Sequence, residues 1–406
     1  MDRRGFLQVV RTAGIAAVVL PVVSACGGDD APSASGTTSA PPTTGGAGPS
    51  TTPAPASFAG YGPLGEPDAN GLRLPEGFTS RVVATTGETV EGTDYVWHVA
   101  PDGGAVFPQP DSGWIYVSNS EFVPGGVGMV RFDQDGKIID AQELLTGSVL
   151  NCGGGATPWG TWLSGEEIDG GLIYEVDPTG AVEPEMRRAM GVFKHEATAA
   201  DGAVQAIYLT EDMPEGALYR FRPTTWGDLS AGTLDVLTKP AGSPEEGAGT
   251  WVPVPDPSAL AGPVRDQVPD TWRFDGGEGI DVFDSVVYFS TKGDNRLWKL
   301  EPDGADGATV TIEWDSATAP ADAPATVNEV DNVVVGPNEL PFIAEDGAGM
   351  HVVVVAADGT MYPVVQVADT EGSEVTGPAF TPDGTRLYFS SQRDPGRTYE
   401  VTGPFA

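Results

Sequence analysis

The sequence predicts an all-β fold, a six-bladed β-propeller with an insertion near the channel mouth. Three observations predict it. Beyond residue 57 helix signals are almost absent, and short β-rich runs alternate with Asp-Gly, Gly-Pro, Pro-Asp-Gly and Gly-Gly turns. A strand carrying an aromatic or aliphatic run passes directly into polar residues six times. Those six occurrences are spaced at intervals close to the length of one propeller blade.

Ahead of the fold lies a targeting segment. Asp2-Arg3-Arg4-Gly5-Phe6-Leu7 is a twin-arginine pattern, followed by an apolar stretch from about Ala13 to Val23. That stretch is shorter than the roughly 20 apolar residues a spanning helix needs. It ends in Val23-Ser24-Ala25-Cys26, which has the form of a bacterial lipoprotein cleavage site. Residues 1–26 are therefore expected to be a lipoprotein signal peptide, with Cys26 the lipidated first residue of a cell-surface or periplasmic protein. Residues 27–57 are almost entirely Gly, Ser, Thr, Pro, Ala and Asp and read as a disordered tether. The propeller is expected over 58–406.

The six markers are Tyr116, Trp162, Tyr208, Tyr288, Phe342 and Tyr388. Their spacings are 46 (116 to 162), 46 (162 to 208), 80 (208 to 288), 54 (288 to 342) and 46 (342 to 388). The long interval holds an insertion at about 222–270, expected as a rim or partial lid over the channel mouth. Phe78 to Val90 reads as a strand that closes the ring beside Tyr399 to Thr402. A β-sandwich is the competing architecture, and it offers no reason for the near-regular intervals.

A polar residue also stands ten to fourteen positions ahead of most markers, at the start of a short apolar run. In a propeller the innermost strand descends along the channel and the second returns, so both patterns reach one face. They place Cys152, Glu166, Glu167, Glu196, Glu211, Asp212, Glu278, Asn332, Glu345 and Asp346 around one mouth, with Glu374 or Thr376 in the last blade. So many carboxylates repel strongly in a partly desolvated channel. Bound cations relieve that, with oxygen ligands suiting calcium and the single thiolate a transition metal. Cys152 is the only cysteine besides Cys26. A buried inert thiol is the common role of such a residue; its glycine-rich, acid-flanked setting in Asn151-Cys-Gly-Gly-Gly favours a metal ligand.

Net charge is −37, with 21 Lys plus Arg against 58 Asp plus Glu. Nucleic acid and anionic membrane surfaces are thereby excluded as partners, the lipid anchor being the only expected membrane contact. A monomer is expected.

With these residues in view, the chain resembles the PhoX-type bacterial alkaline phosphatases. The resemblance is carried by Asn151-Cys-Gly-Gly-Gly-Ala-Thr-Pro-Trp-Gly-Thr-Trp162 with Glu166-Glu167, and by Phe193-Lys-His-Glu-Ala197. It continues in Tyr208-Leu-Thr-Glu-Asp212, Tyr219-Arg-Phe-Arg-Pro223, Gly227-Asp-Leu-Ser-Ala-Gly232, Gly249-Thr-Trp-Val-Pro253 and the closing Thr376-Gly-Pro378. It implies a six-bladed propeller hydrolysing phosphate esters of small molecules with an iron and calcium cluster. Cys152, Glu167 and Glu278 would be catalytic and iron-side ligands. Glu166, Glu196, Glu211, Asp212, Asn332, Glu345 and Asp346 would complete the metal shell. The resemblance departs at Gly276, where the family pattern has a phosphate-clamping arginine, the side chain best suited to planar phosphate recognition. Lys194, Lys292 and Arg393 are the candidates to replace it. Two other readings stand beside this one, a calcium-dependent lactonase-type propeller hydrolase and a non-catalytic calcium-binding propeller.

Overall fold

Each marker aromatic sits on the second strand of a blade, where both faces of the sheet are covered by neighbouring blades. Tyr116, Trp162, Tyr208, Phe342 and Tyr388 are accordingly buried, and Tyr288 is half-buried. The computed structural model describes residues 58–368, 372–393 and 395–406. The signal peptide and tether expected over 1–57 lie outside the described residues.

Blade I comprises Pro101–Pro108, Trp114–Ser120, Gly125–Phe132 and Ile138–Ser148. Blade II comprises Asn151–Ala156, Trp162–Glu166, Ile173–Val176 and Glu185–Met186. Blade III comprises His195–Asp201, Ala206–Glu211, Gly216–Thr225 and Asp228–Thr238. Blade IV comprises Gly277–Phe283, Val286–Thr291, Arg296–Asp303 and Gly307–Asp315. Blade V comprises Val330–Val335, Pro341–Glu345, His351–Val355 and Met361–Val367, with Leu72–Arg73 added at its outer edge. Blade VI comprises Val375–Phe380, Arg386–Ser391 and Arg397–Thr402, and its outer strand is Thr79–Thr85 from the start of the fold.

The first strands of the blades neighbour one another in the order I to VI and back to I, which closes the ring. Their close approach depends on residues without a side chain. A Cβ on Gly103 would lie 2.7 Å from the Cys152 carbonyl oxygen, and one on Gly153 would lie 2.6 Å from Glu196 Oε1. Apolar layers between blades hold the ring. One layer joins Val83, Trp97, Trp114, Tyr116 and Phe132 to Ala379 and Tyr388, so blade I packs on blade VI.

The insertion divides in two. Its first part, Gly247–Pro253, pairs with Asp228–Thr238 of blade III and with Gly307–Asp315 of blade IV. The two outer edges are thereby joined into one ten-stranded sheet, an edge position where unpaired backbone would otherwise meet water. Only the second part returns toward the mouth. There Ala259 and Gly262 to Arg265 line a cavity of about 320 Å³ with Lys194. The lid expected from the sequence is thus a short rim, and most of the segment is an outer brace.

Candidate metal centre at the channel mouth

A repeated β-bulge builds the site. In every blade the first two strands pair at the mouth, once in blades I to V and twice in blade VI, and then the inner strand carries one extra residue. The shift falls between Pro101 and Gly104, Asn151 and Gly154, His195 and Thr198, Gly277 and Ile280, Val330 and Val333, and Thr376 and Ala379. A bulge re-aims a side chain that regular alternation would bury in the sheet. The residues at this position are Asp102, Cys152, Glu196, Glu278 and Asp331. In blade VI it is Gly377, with φ 59°, and Glu374 supplies the acid from the strand entrance.

The ends of the second strands follow a second rule. The last strand residue anchors the loop, and the next one faces the channel. Glu166 accepts the amides of Val149 (3.0 Å) and Leu172 (3.3 Å). Glu211 accepts Ala217 N (3.2 Å), Tyr219 Oη (2.8 Å) and Arg265 (2.5 Å). Glu345 accepts the amides of Asn328 (3.0 Å) and His351 (3.2 Å) and bonds His351 Nδ1 at 3.0 Å. The following residues, Glu121, Glu167, Asp212, Lys292, Asp346 and Gln392, line the mouth.

Four groups of ligand atoms therefore lie within 4.8 Å of one another: Cys152, Glu167 and Glu196; Glu196, Glu278 and Asp331; Asp331, Asp346 and Glu374; and Asp102, Glu121 and Glu374. Shared members make them one continuous arc. Of the residues expected at the mouth, Cys152, Glu167, Glu196, Glu278 and Asp346 come together, and Asp212 sits beside them, bonded to Lys194. Glu166, Glu211 and Glu345 stand outside, their oxygens taken by backbone and side-chain donors. Asn332 is also diverted: its Nδ2 bonds Asp331 and its Oδ1 accepts Gly377 N at 2.6 Å, tying blade V to blade VI.

The bulge residues are held by the blade before them. Asn119 Nδ2 donates to the carbonyls of Cys152 (2.8 Å) and Gly153 (2.7 Å), while its Oδ1 accepts Trp162 Nε1 and Ser164 Oγ. Thr210 Oγ1 donates to Glu278 O, and Ser290 Oγ to Asp331 O, each at 2.5 Å. These three residues stand two positions before Glu121, Asp212 and Lys292, so one strand both presents a mouth residue and fixes the next blade's ligand.

Burial dominates the electrostatics. It pushes the Glu196 and Glu278 carboxyls well above the usual range, with neighbouring carboxylates adding to it. It raises Glu167 to about 8, Asp331 to about 6 and Glu374 to about 10. The Cys152 thiol is likewise pushed well up, first by burial and then by Asp102 and Glu196. Three cations answer these acids. Lys194 pairs with Glu167 at 2.8 Å and with Asp212, and Arg393 pairs with Glu374 at 2.9 Å and Glu121 at 3.4 Å. Lys292 stands among Asp346 (2.8 Å), Glu278 (3.3 Å) and Asp331 (3.8 Å).

The donor set fits metal. Glu196 Oε2 is a buried carboxylate oxygen without a hydrogen-bond partner, the condition a bound cation would repair, whereas Glu278 Oε1 faces the Lys292 ammonium at 3.3 Å. Cys152 Sγ lies 3.5 Å from Glu196 Oε1, so a soft and a hard donor share one position. The three histidines take no part. His98 bonds Tyr95 and Ser118, His195 bonds Gly191 O, and His351 bonds Glu345.

Fold and site together define a six-bladed propeller whose channel mouth gathers carboxylates and one thiol able to hold metal. Residues 123–274 match the family model of alkaline phosphatase PhoX, the family its motifs resemble. No curated protein matches the chain. Among solved structures it is similar to Pseudomonas fluorescens PhoX in complex with vanadate, a transition-state analogue. The TM-score is 0.70 at 17% identity, covering 85% of this chain and 97% of that one. A protein of unknown function from Bacteroides thetaiotaomicron matches at TM-score 0.52 and 11% identity, over 80% of this chain and 76% of that one. A gluconolactonase from Xanthomonas campestris, XC5397, matches at TM-score 0.50 and 12% identity, over 80% and 90%.

Proposed function

We propose that the protein is a metal-dependent phosphatase that hydrolyses phosphate esters of small molecules at this channel mouth. The observation that carries the proposal is the arc of Cys152, Glu167, Glu196, Glu278 and Asp331 with the unpartnered Glu196 Oε2, on a chain whose residues 123–274 match the PhoX family model. Cys152, Glu167, Glu196 and Glu278 would hold iron, and Asp331, Glu374, Asp102 and Glu121 would hold calcium. Such ions, when bound, act as Lewis acids on phosphate oxygens and lower the pKa of water.

The protein's own residues position the ester. Lys194 and Arg393 flank the arc, and side-chain exposures of 25% and 51% leave both able to meet a phosphate. Gly276 offers no clamp. Its φ of 70° lies in the left-handed region, its amide bonds Met213 O at 2.9 Å, and its carbonyl accepts Lys292 N at 2.8 Å. An arginine there would be strained, and its Cβ would sit 3.2 Å from Asp212 Oδ1. We attribute to this chain a substrate preference shifted away from that of an arginine-clamped site.

We also propose export by the twin-arginine route and anchoring through Cys26, on the strength of residues 2–26 alone. The test of function is hydrolysis of p-nitrophenyl phosphate and bis(p-nitrophenyl) phosphate by iron- and calcium-loaded protein. Turnover that is lost on chelation and restored by both metals supports the proposal. Fully loaded protein that cleaves neither ester across pH 5–11 overturns it. Lactone hydrolysis with one calcium and no iron would establish the lactonase reading instead.

A further inference from the structure

Five of the six mouth-facing positions at the ends of the second strands hold Glu121, Glu167, Asp212, Asp346 and Gln392. The sixth, in blade IV, holds Lys292. Its amine lies 2.8 Å from Asp346, 3.3 Å from Glu278 and 3.8 Å from Asp331. It is thus interposed where two of the four ligand groups meet, since Asp331 belongs to both. Its base is fixed by the bond from its own amide to Gly276 O.

Building on the metal reading of the mouth, we propose that the Lys292 ammonium is a resident cation of this cluster. It takes the place of one divalent ion between Asp331 and Asp346. A calcium ion binds carboxylate oxygens at about 2.3–2.6 Å. An ammonium already at 2.8 Å from Asp346 leaves an ion on the same carboxylate facing a like charge at close range in a poorly solvated channel. On the opposite side Lys194 pairs with Glu167 at 2.8 Å and with Asp212, but not with Glu196. Glu196 Oε2 is buried and unpartnered, and Lys292 forms no ion pair with Glu196. Metal is therefore directed away from the gap between Asp331 and Asp346, where the charge between blades IV and V is met by the side chain.

Metal content decides this without any turnover. Full-length wild type, K292M, D346N and K292M/D346N are equilibrated with excess calcium and iron and dialysed. Bound ions per chain are then counted by elemental analysis, with near-UV circular dichroism confirming the fold. We expect K292M to gain about one divalent ion, D346N to keep the wild-type number, and the double variant to return to it. K292M with no gain, or D346N with one ion lost, overturns the proposal, and D346N decides alone should K292M fail to fold. Wild type and K292M that both bind no metal overturn the metal reading as well. Absence of phosphatase activity beside the expected counts would refute the phosphatase assignment and leave this inference intact.

Discussion

Replacing Glu211 by alanine separates an anchoring carboxylate from a metal-binding one. The Glu211 side chain is fully buried and accepts from Ala217 N, Tyr219 Oη and Arg265. Its removal strands a buried amide and a buried phenol, each costing about 1–3 kcal/mol when left unpaired. Arg265 keeps 20% exposure and can turn to water, so its share is smaller than the loss of a fully buried partner. The sum is about 2–6 kcal/mol. Unfolding entropy of about 2.1 cal/mol/K per residue gives a domain of roughly 350 residues about 1.4 °C per kcal/mol. Differential scanning calorimetry should therefore show Tm lower by about 3–8 °C, and limited proteolysis should cut first between residues 254 and 271, where Arg265 no longer ties the rim down. Bound metal should equal that of wild type. An E211A protein that loses bound ions, with Tm unchanged, would refute the anchoring role.

Other perturbations give equally specific expectations. Cys152→Ser should lower the iron-to-calcium ratio of purified protein severalfold and leave the fold intact; an unchanged ratio by elemental analysis would remove the thiol from the metal shell. Metal-free protein should lose stability as pH rises, because a carboxyl whose folded pKa lies above its unfolded one favours the folded state only while protonated. The window runs from 4.5 to about 8 for Glu167 and from 3.8 to about 6 for Asp331, and a Tm that rises between pH 5 and 8 would contradict it. Gly276→Ala should cost about 1–2 kcal/mol through its positive φ, read by urea denaturation, with metal content unaltered. Deleting Thr79–Thr85 should leave Arg397–Thr402 as an open edge and give aggregated protein in size-exclusion chromatography; a soluble monomer would show that ring closure is dispensable.

Blade number and ring closure were legible because both rest on patterns that survive local irregularity. An aromatic followed by polar residues marks the second strand whether or not the next turn is regular, and Tyr116, Trp162 and Tyr208 fall where that pattern puts them. Register at the mouth was less legible. Glu166-Glu167, Glu211-Asp212 and Glu345-Asp346 are adjacent acids, and composition alone does not say which one anchors backbone and which faces the channel. The bulge shifted the inner ring by one residue, so that Asp331 takes the place expected for Asn332. Asp102 was hidden by its setting, since Ala100-Pro-Asp-Gly-Gly104 reads as a turn and forms instead the entrance of an inner strand. One signal would have found it. An acid or thiol followed by Gly, Ala or Asn recurs at Asp102-Gly103, Cys152-Gly153, Glu196-Ala197, Glu278-Gly279 and Asp331-Asn332. Glu121 directly follows the marker strand that carries Tyr116, and nothing in the sequence ties it to Asp102.

The closure of blade VI bears on when the mouth can come into being. Thr79–Thr85 leaves the ribosome early and Arg397–Thr402 among the last residues, and Thr79–Thr85 has no sheet partner until the two meet. The group of Asp102, Glu121 and Glu374 draws its members from blades I and VI, so it is assembled only at that junction. Blades II to IV can gather Cys152, Glu167, Glu196 and Glu278 while the chain is still growing. The cluster thus has a chronology written into its connectivity: a thiol-bearing half available during synthesis, and an all-oxygen half that exists only in the finished protein.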